Sequence, residues 1–462
     1  MLPALHLPTG AKEEAPEASG EITMQQRLLV RVIDATAGLR PEANAHQLLL
    51  GLGNSVPPAS AENPGEDLGN AAILARLGSV EGSKDSAIAR LDALQKSISD
   101  GKAQATPEFL TLLGDVRAAV LATKAPGPGE VGADAAHRIE AALGDVGTGL
   151  VAQANGDAEG LAALANRATP ALIALLLFIV LALVLGLVGL AVLATFVVQV
   201  LRGRTNGAGP SAREWSPVYA EMFAVWMGLY WCLNRLPDIA MDFLQSRGIV
   251  ESGWHSALGL NGALALSVAI SVVAALAAIW WGVRRGLSWP TIRSGIALTR
   301  FRGSDLAWGF LCYCMGIALL AVGVVVSAVL TALFGSGASQ PSHPIQQVIE
   351  QAGPLGLGLT FVIASVCAPI FEEMFFRGAL YRNLEDMCSG AGRLAAVVVA
   401  TVVSSVLFAA IHPQGLLFVP VLGSLAVAFC LMREWRGSIN AGIVAHALNN
   451  GVILLLNVML LR

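Results

Sequence analysis

The chain divides by the spacing of its apolar positions. From residue 168 onward these form long runs, at 168–201, 217–236, 258–282, 306–334, 354–376, 394–411, 415–432 and 438–460. Most are near or above the roughly 20 residues a helix needs to cross a bilayer. The second run contains Glu221 and Arg235 and is the least clean. The sixth and seventh are short; Pro413 separates them and Pro420 interrupts the seventh. Short or broken helices are tolerated at membrane depth where they line a protein-buried cavity.

Ahead of residue 168 the pattern changes. Residues 22–165 are rich in Ala and Leu at helical spacing. Ile73, Leu77 and Val80 stand at i, i+4 and i+7, and Ile88, Leu91, Leu94 and Ile98 step by three, three and four. Each set lines one helical face. Pro57-Pro58, the run Ala125 to Gly129, and Asn155-Gly156-Asp157 divide the region into short helices. No convincing repeat period marks a solenoid. The predicted fold is all-α: a polytopic membrane helix bundle of about eight transmembrane helices, preceded by a soluble helical N-terminal domain. The expected divisions are a disordered tail (1–20), an acidic Ala-rich helical extramembrane domain (21–167), N-terminal transmembrane helices (168–300) and a C-terminal core (301–462).

Composition agrees with this division. The chain is 55% hydrophobic and 13% charged, with mean hydropathy +0.64, which excludes an ordinary soluble enzyme. Residues 1–167 have net charge −8, and the remainder +4, which together give the overall −4. Five of the six cysteines (Cys232, Cys312, Cys314, Cys367 and Cys430) fall in apolar runs, and no CxxC pair occurs, so free thiols are expected. Arginines cluster after the first, third, fifth and seventh runs. The positive-inside rule makes those ends cytoplasmic. Both termini would then lie outside, yet no charged segment followed by a short apolar core marks a signal peptide. A span count off by one, or a start further upstream, would remove the conflict. The expected location is a multi-pass position in a bacterial inner membrane. The expected partners are the bilayer and a membrane protein or lipid-anchored peptide, with no nucleic acid.

Within this apolar background a few polar residues stand out. Glu372 and Glu373 follow an uncharged stretch from Leu357 to Ile370, and Arg377 comes four residues after Glu373. A carboxylate at membrane depth costs several kcal/mol unless it is paired, so such a pair is a functional-site hypothesis by default. Glu373 and Arg377 share a helical face and can pair. Glu372 points about 100° away, toward a cavity. His412 ends another apolar run, and His446 and Asn450 are four apart in the last run. Singly, each has a structural reading: an ion pair, a helix end, an interhelical hydrogen bond. Together, a carboxylate, two histidines and an amide suit activation of water and stabilisation of an oxyanion. Glu372, His412 and His446 could equally hold a zinc ion.

The three groups resemble the motifs of the CPBP family of intramembrane proteases, which includes the type II CAAX prenyl proteases and bacteriocin-processing or self-immunity proteins. That family carries EExxxR, FxxxH and HxxxN on successive helices. Here they stand as Glu372-Glu373-Met374-Phe375-Phe376-Arg377, Phe408 to His412, and His446 to Asn450. The resemblance covers roughly residues 300–462 and does not extend to 1–165. It implies an intramembrane endopeptidase. Glu372 would be the general base on water held with His412, and His446 and Asn450 the oxyanion donors. Glu373 and Arg377 would orient the site. The family is often labelled metallo, yet these residues also fit a mechanism that requires no metal, since Asn is a poor zinc ligand and a good oxyanion donor. Two other readings compete: a non-catalytic immunity or scaffold protein of the same fold, and a proton-coupled transporter.

Overall fold

A computed structural model describes residues 24–37, 56, 64–77, 82–103, 105–123, 131–204, 215–247, 254–334, 348–349, 352–412 and 414–461. Every regular element among them is helical. The tail 1–20, Val80, Pro57-Pro58, the Ala125–Gly129 break and Pro413 lie outside the described residues. Contacts gather the described residues into two compact units, one within 180–458, the other within 24–179 together with 459–461.

The smaller unit contains α1 (Met24–Ala37), α2 (Pro64–Arg76), α3 (Ser83–Ser99), α4 (Pro107–Ala122) and α5 (Ala133–Ala154). Its core gathers Leu68, Ile73, Leu91, Leu94, Val116, Ile139 and Leu150. The faces predicted from spacing are the buried ones: Ile73, Leu77, Leu91 and Leu94 all pack inside, with Ile88 and Ile98 partly covered. Helix α2 is central, so it also carries polar side chains into the interior, where each needs a partner. Asn70 accepts from Gln26, Asp67 faces Arg90, and Arg76 pairs with Asp34. Asn155 and Gly156, the latter at φ 67°, end α5 as the sequence break predicts.

Helix α6 (Ala158–Leu201) runs through the division and contributes its second half to the larger unit. There follow α7 (Ser216–Ser246), α8 (Trp254–Arg284), the short α9 (Trp289–Gly295) and α10 (Gly303–Phe334). Next is a continuous helical run: α11 (Pro354–Val362), a wide π-helical turn (Ile363–Cys367), α12 (Ala368–Glu372), a second π-helical stretch (Glu373–Leu380) and α13 (Tyr381–Cys388). The last three helices are α14 (Arg393–Ala410), α15 (Val419–Arg436) and α16 (Asn440–Leu461).

Seven helices among the described residues are long and apolar enough to cross a membrane, so the chain is an integral multi-pass membrane protein. Their outward faces are apolar, as lipid requires; Leu183, Leu187, Leu333 and Leu394 are each more than half exposed. The expected span 217–236 is a helix, α7, but it is not among the seven. Glu221, Arg235, Asp238 and Asp242 lie on it, and residues such as Trp226, Tyr230 and Asn234 lower the hydropathy between them. Glu221 accepts from Trp281 Nε1 at 2.8 Å and pairs with Arg285 at 2.8 Å, so its carboxylate is matched by α8 and the residue that follows it.

Small residues set the helix spacing, because apolar packing in lipid depends on close approach rather than on expulsion of water. A Cβ on Gly189 of α6 would stand 1.9 Å from the Cys314 carbonyl of α10, so those backbones touch. Helix α10 packs along α15, α14 against α15, and α7 against α8. The core around the second π-helical stretch is aromatic: Trp226 stacks on Phe375 at 4.6 Å, and Phe376 meets Phe223 edge-on at 5.2 Å.

Candidate active site

Helix α12, the second π-helical stretch and α16 meet at four polar side chains. Glu372 is 2% exposed, Glu373 and Arg377 are fully buried, and His446 is 4% exposed. Arg377 Nη1 donates to Glu373 Oε1 at 2.9 Å, the pair their spacing predicts. The same oxygen lies 3.1 Å from His446 Nδ1. His446 Nε2 stands 3.7 Å from Glu372 Oε2. One imidazole therefore binds Glu373 and faces Glu372, between both carboxylates of the motif. A carboxylate bound to a guanidinium is an acceptor, so Nδ1 carries the proton in this pair and Nε2 faces Glu372. Helix α16 can come this close because residue 442 is glycine. A Cβ there would stand 3.1 Å from Glu373 Oε2.

The buried guanidinium is further matched by aromatic faces. Arg377 Cζ sits 4.3 Å over the Phe408 ring and 5.2 Å from that of Phe429. A desolvated cation gains most from such π contacts. Phe408 also separates the two histidines, its ring 4.6 Å from His412 and 5.7 Å from His446. Phe429 stacks on His446 at 5.3 Å. His412 is half-buried at the end of α14, and Phe408 O lies 2.7 Å from its Nδ1. That contact turns its Nε2 edge away from its own helix.

Asn450 is held from a distant element. Its Nδ2 donates to Ala364 O at 2.8 Å, in the first π-helical turn, and its Oδ1 accepts from Asn449 at 3.3 Å. The chemistry of Pro369 explains the first bond. In a π turn the carbonyl of residue i accepts from the N–H of residue i+5. Ala368 supplies its N–H to Ile363 in that way. Pro369 has no N–H to give Ala364. The orphaned carbonyl takes an N–H of Asn450 instead, leaving that amide a second N–H. Of the adjacent asparagines, it is thus Asn450 that reaches the motif helix. In the second π stretch, Ser404 Oγ similarly donates to Phe376 O at 3.1 Å. Sequence reasoning missed both π segments, Ser404 and the dividing role of Phe408. Proline three residues before Glu372 was the available signal.

The structure therefore brings Glu372, Glu373, Arg377 and His446 into contact. His412 reaches them through the Phe408 ring and Asn450 through the backbone of the first π turn. Among the described residues no group of three His, Cys, Asp or Glu side chains is arranged to hold a metal ion.

Comparison with known proteins falls on this same region. Residues 354–452 match the family described as type II CAAX prenyl endopeptidase Rce1-like. The chain is 32% identical over 142 residues to the membrane-embedded CAAX protease MroQ of Staphylococcus aureus (strain USA300). The match covers 30% of this chain and 55% of that relative, so the chain spans about half the length of the curated relative it matches. No solved structure matches. The resemblance of the three motifs to the CPBP family is thereby borne out for the C-terminal region that carries them.

Proposed function

We propose that the chain is an intramembrane endopeptidase that hydrolyses a peptide bond of a membrane-embedded or lipid-anchored substrate. The observation that carries the reading is the placing of His446 between Glu372 and Glu373 across two buried helices. Such a carboxylate–imidazole–carboxylate set is costly to bury without use, and it is built to move a proton.

In this reading Glu372 takes a proton from a water that His412 helps to hold. The resulting hydroxide attacks the scissile carbonyl. The second N–H of Asn450 donates to the developing oxyanion, and His446 does so once Glu372 has passed the water's proton to its Nε2. Glu373 fixes the imidazole through Nδ1, as second partners of catalytic histidines do, and Arg377 holds Glu373 in place through its guanidinium. The 3.7 Å gap between Glu372 and His446 Nε2 exceeds hydrogen-bond length and closes as the proton passes toward the leaving amine. We place the chain in a bacterial inner membrane, with the arginine-rich helix ends cytoplasmic by the positive-inside rule, acting on a peptide or membrane protein. The relative's CAAX label extends to this chain only if a prenylated partner exists.

The test is cleavage of a lipid-anchored peptide library in proteoliposomes by wild-type protein and by Glu372→Gln. Loss of all cleavage in a variant of unchanged thermal stability is expected. Retained cleavage would sink the assignment. Binding without cleavage by the wild type would favour a non-catalytic protein of the same fold.

A further inference from the structure

Ser365 is buried, 3% exposed, and its hydroxyl has no hydrogen-bond partner. That is unusual for a helical serine in an apolar bundle. Such hydroxyls ordinarily donate to a carbonyl one turn back. Thr360 does so in the same helical run, to Gly356 O at 2.8 Å, as do Ser271 in α8 and Ser424 in α15. Ser267 and Ser327 are also without partners, but the helices that bear them, α8 and α10, carry no motif residue.

The placement of Ser365 differs from theirs. It follows Ala364, whose carbonyl anchors Asn450. A methyl group on Gly451, the residue after Asn450, would stand 3.5 Å from Ser365 Oγ. Ser365 is also seven residues before Glu372 in the same helical run, inside its first π-helical turn. The hydroxyl therefore lies where the general-base helix and the oxyanion helix meet, on the Asn450 side.

We propose that Ser365 is a further catalytic residue, a hydrogen-bond donor to the substrate's peptide carbonyl beside Asn450. The inference rests on the proposed protease reading. An O–H left unmatched in the resting protein costs free energy. Donation to a carbonyl whose oxygen gains charge in the transition state recovers it there. The contact strengthens as the oxyanion forms, so its effect falls on kcat.

The test uses full-length protein in phosphatidylglycerol-containing vesicles, with a lipid-anchored quenched-fluorophore peptide that the wild type cleaves. Ser365→Ala, Ser365→Cys and Glu372→Gln are compared for kcat, KM and Tm. Cys nearly keeps the volume of Ser and is a poor donor. Both Ser365 variants are expected to lose about 100- to 1,000-fold in kcat, the range for an oxyanion donor. KM should hold within about twofold, and Tm should be equal to or above that of wild type, since an unmatched buried hydroxyl is gone. Activity kept in Ser365→Cys, or a loss matched by a falling Tm, would assign the residue to packing and overturn the proposal. Dead Glu372→Gln beside active Ser365→Ala overturns Ser365 alone. Cleavage equal in wild type and Glu372→Gln overturns the protease reading and this inference with it.

Discussion

His446 Nδ1 lies 3.1 Å from Glu373 Oε1, the same oxygen that accepts from Arg377 Nη1 at 2.9 Å. One carboxylate oxygen thus ties α16 to its own helix's arginine and fixes which imidazole nitrogen is left for Glu372. The consequence is a single coupled unit of three fully or nearly fully buried charged or titratable groups.

Breaking one partner of a buried ion pair leaves an uncompensated charge, at a cost of about 3–5 kcal/mol. Glu373→Gln alone strands Arg377, and Arg377→Met alone strands Glu373. Either is expected to lower unfolding stability by roughly that amount, while the double variant loses less than the two combined. Thermal and SDS unfolding of the four proteins measures the coupling. Simple additivity would contradict the pairing.

Pro369 is expected to matter through the N–H it lacks. Pro369→Ala supplies a donor that competes with Asn450 for Ala364 O. Stability should hold or rise while turnover falls by about 100-fold or more, as for the loss of a positioned oxyanion donor. Kinetics on the substrate that the wild type cleaves, with Tm on the same samples, checks this. Unchanged turnover would detach the π turn from the mechanism.

The favoured chemistry requires no metal. Mass spectrometry of detergent-purified protein is expected to find far less than one zinc per chain. EDTA followed by gel filtration should leave cleavage intact. About one zinc per chain, lost in His412→Ala or His446→Ala, would instead make this a metalloprotease.

In the smaller unit, burial pushes the Asp34 carboxyl above the usual carboxylate range, while the paired Arg76 pulls it back only in part. The folded unit then holds that proton more tightly than the unfolded chain does. Stability is fully present below the unfolded pKa and falls as pH rises through the raised folded value. Asp34→Asn is expected to flatten that slope. Hydrogen exchange of α1 and α2, corrected for the intrinsic pH dependence, reads it; a slope unchanged in the variant would assign it to another group.

Helical periodicity and apolar run length were enough to read the class of fold. Leu91 and Leu94 are buried where their spacing places them, and most membrane helices begin and end near the predicted limits, though the first starts at Ala158 and the fifth continues to Ala391. The count was harder. Helix α7 is long but carries four charges, and whether Glu221 is tolerated depends on Trp281 and Arg285, a helix away. Hydropathy sees only the residue itself, not the partner that neutralises it.

The site was legible to the same extent. The i, i+4 pairing of Glu373 with Arg377 is a local property of a helix, so spacing alone determined it. Local spacing also put His446 and Asn450 on one face. Only the tertiary structure decided that His446 lies between both carboxylates, that Phe408 stands between the histidines, and that Asn450 binds Ala364. These contacts join residues separated by up to 86 positions, as Asn450 and Ala364 are. They depend on π turns, a missing proline N–H and a glycine-thin helix contact. Sequence periodicity fixes what a helix shows on its faces; which faces meet is set by packing between helices.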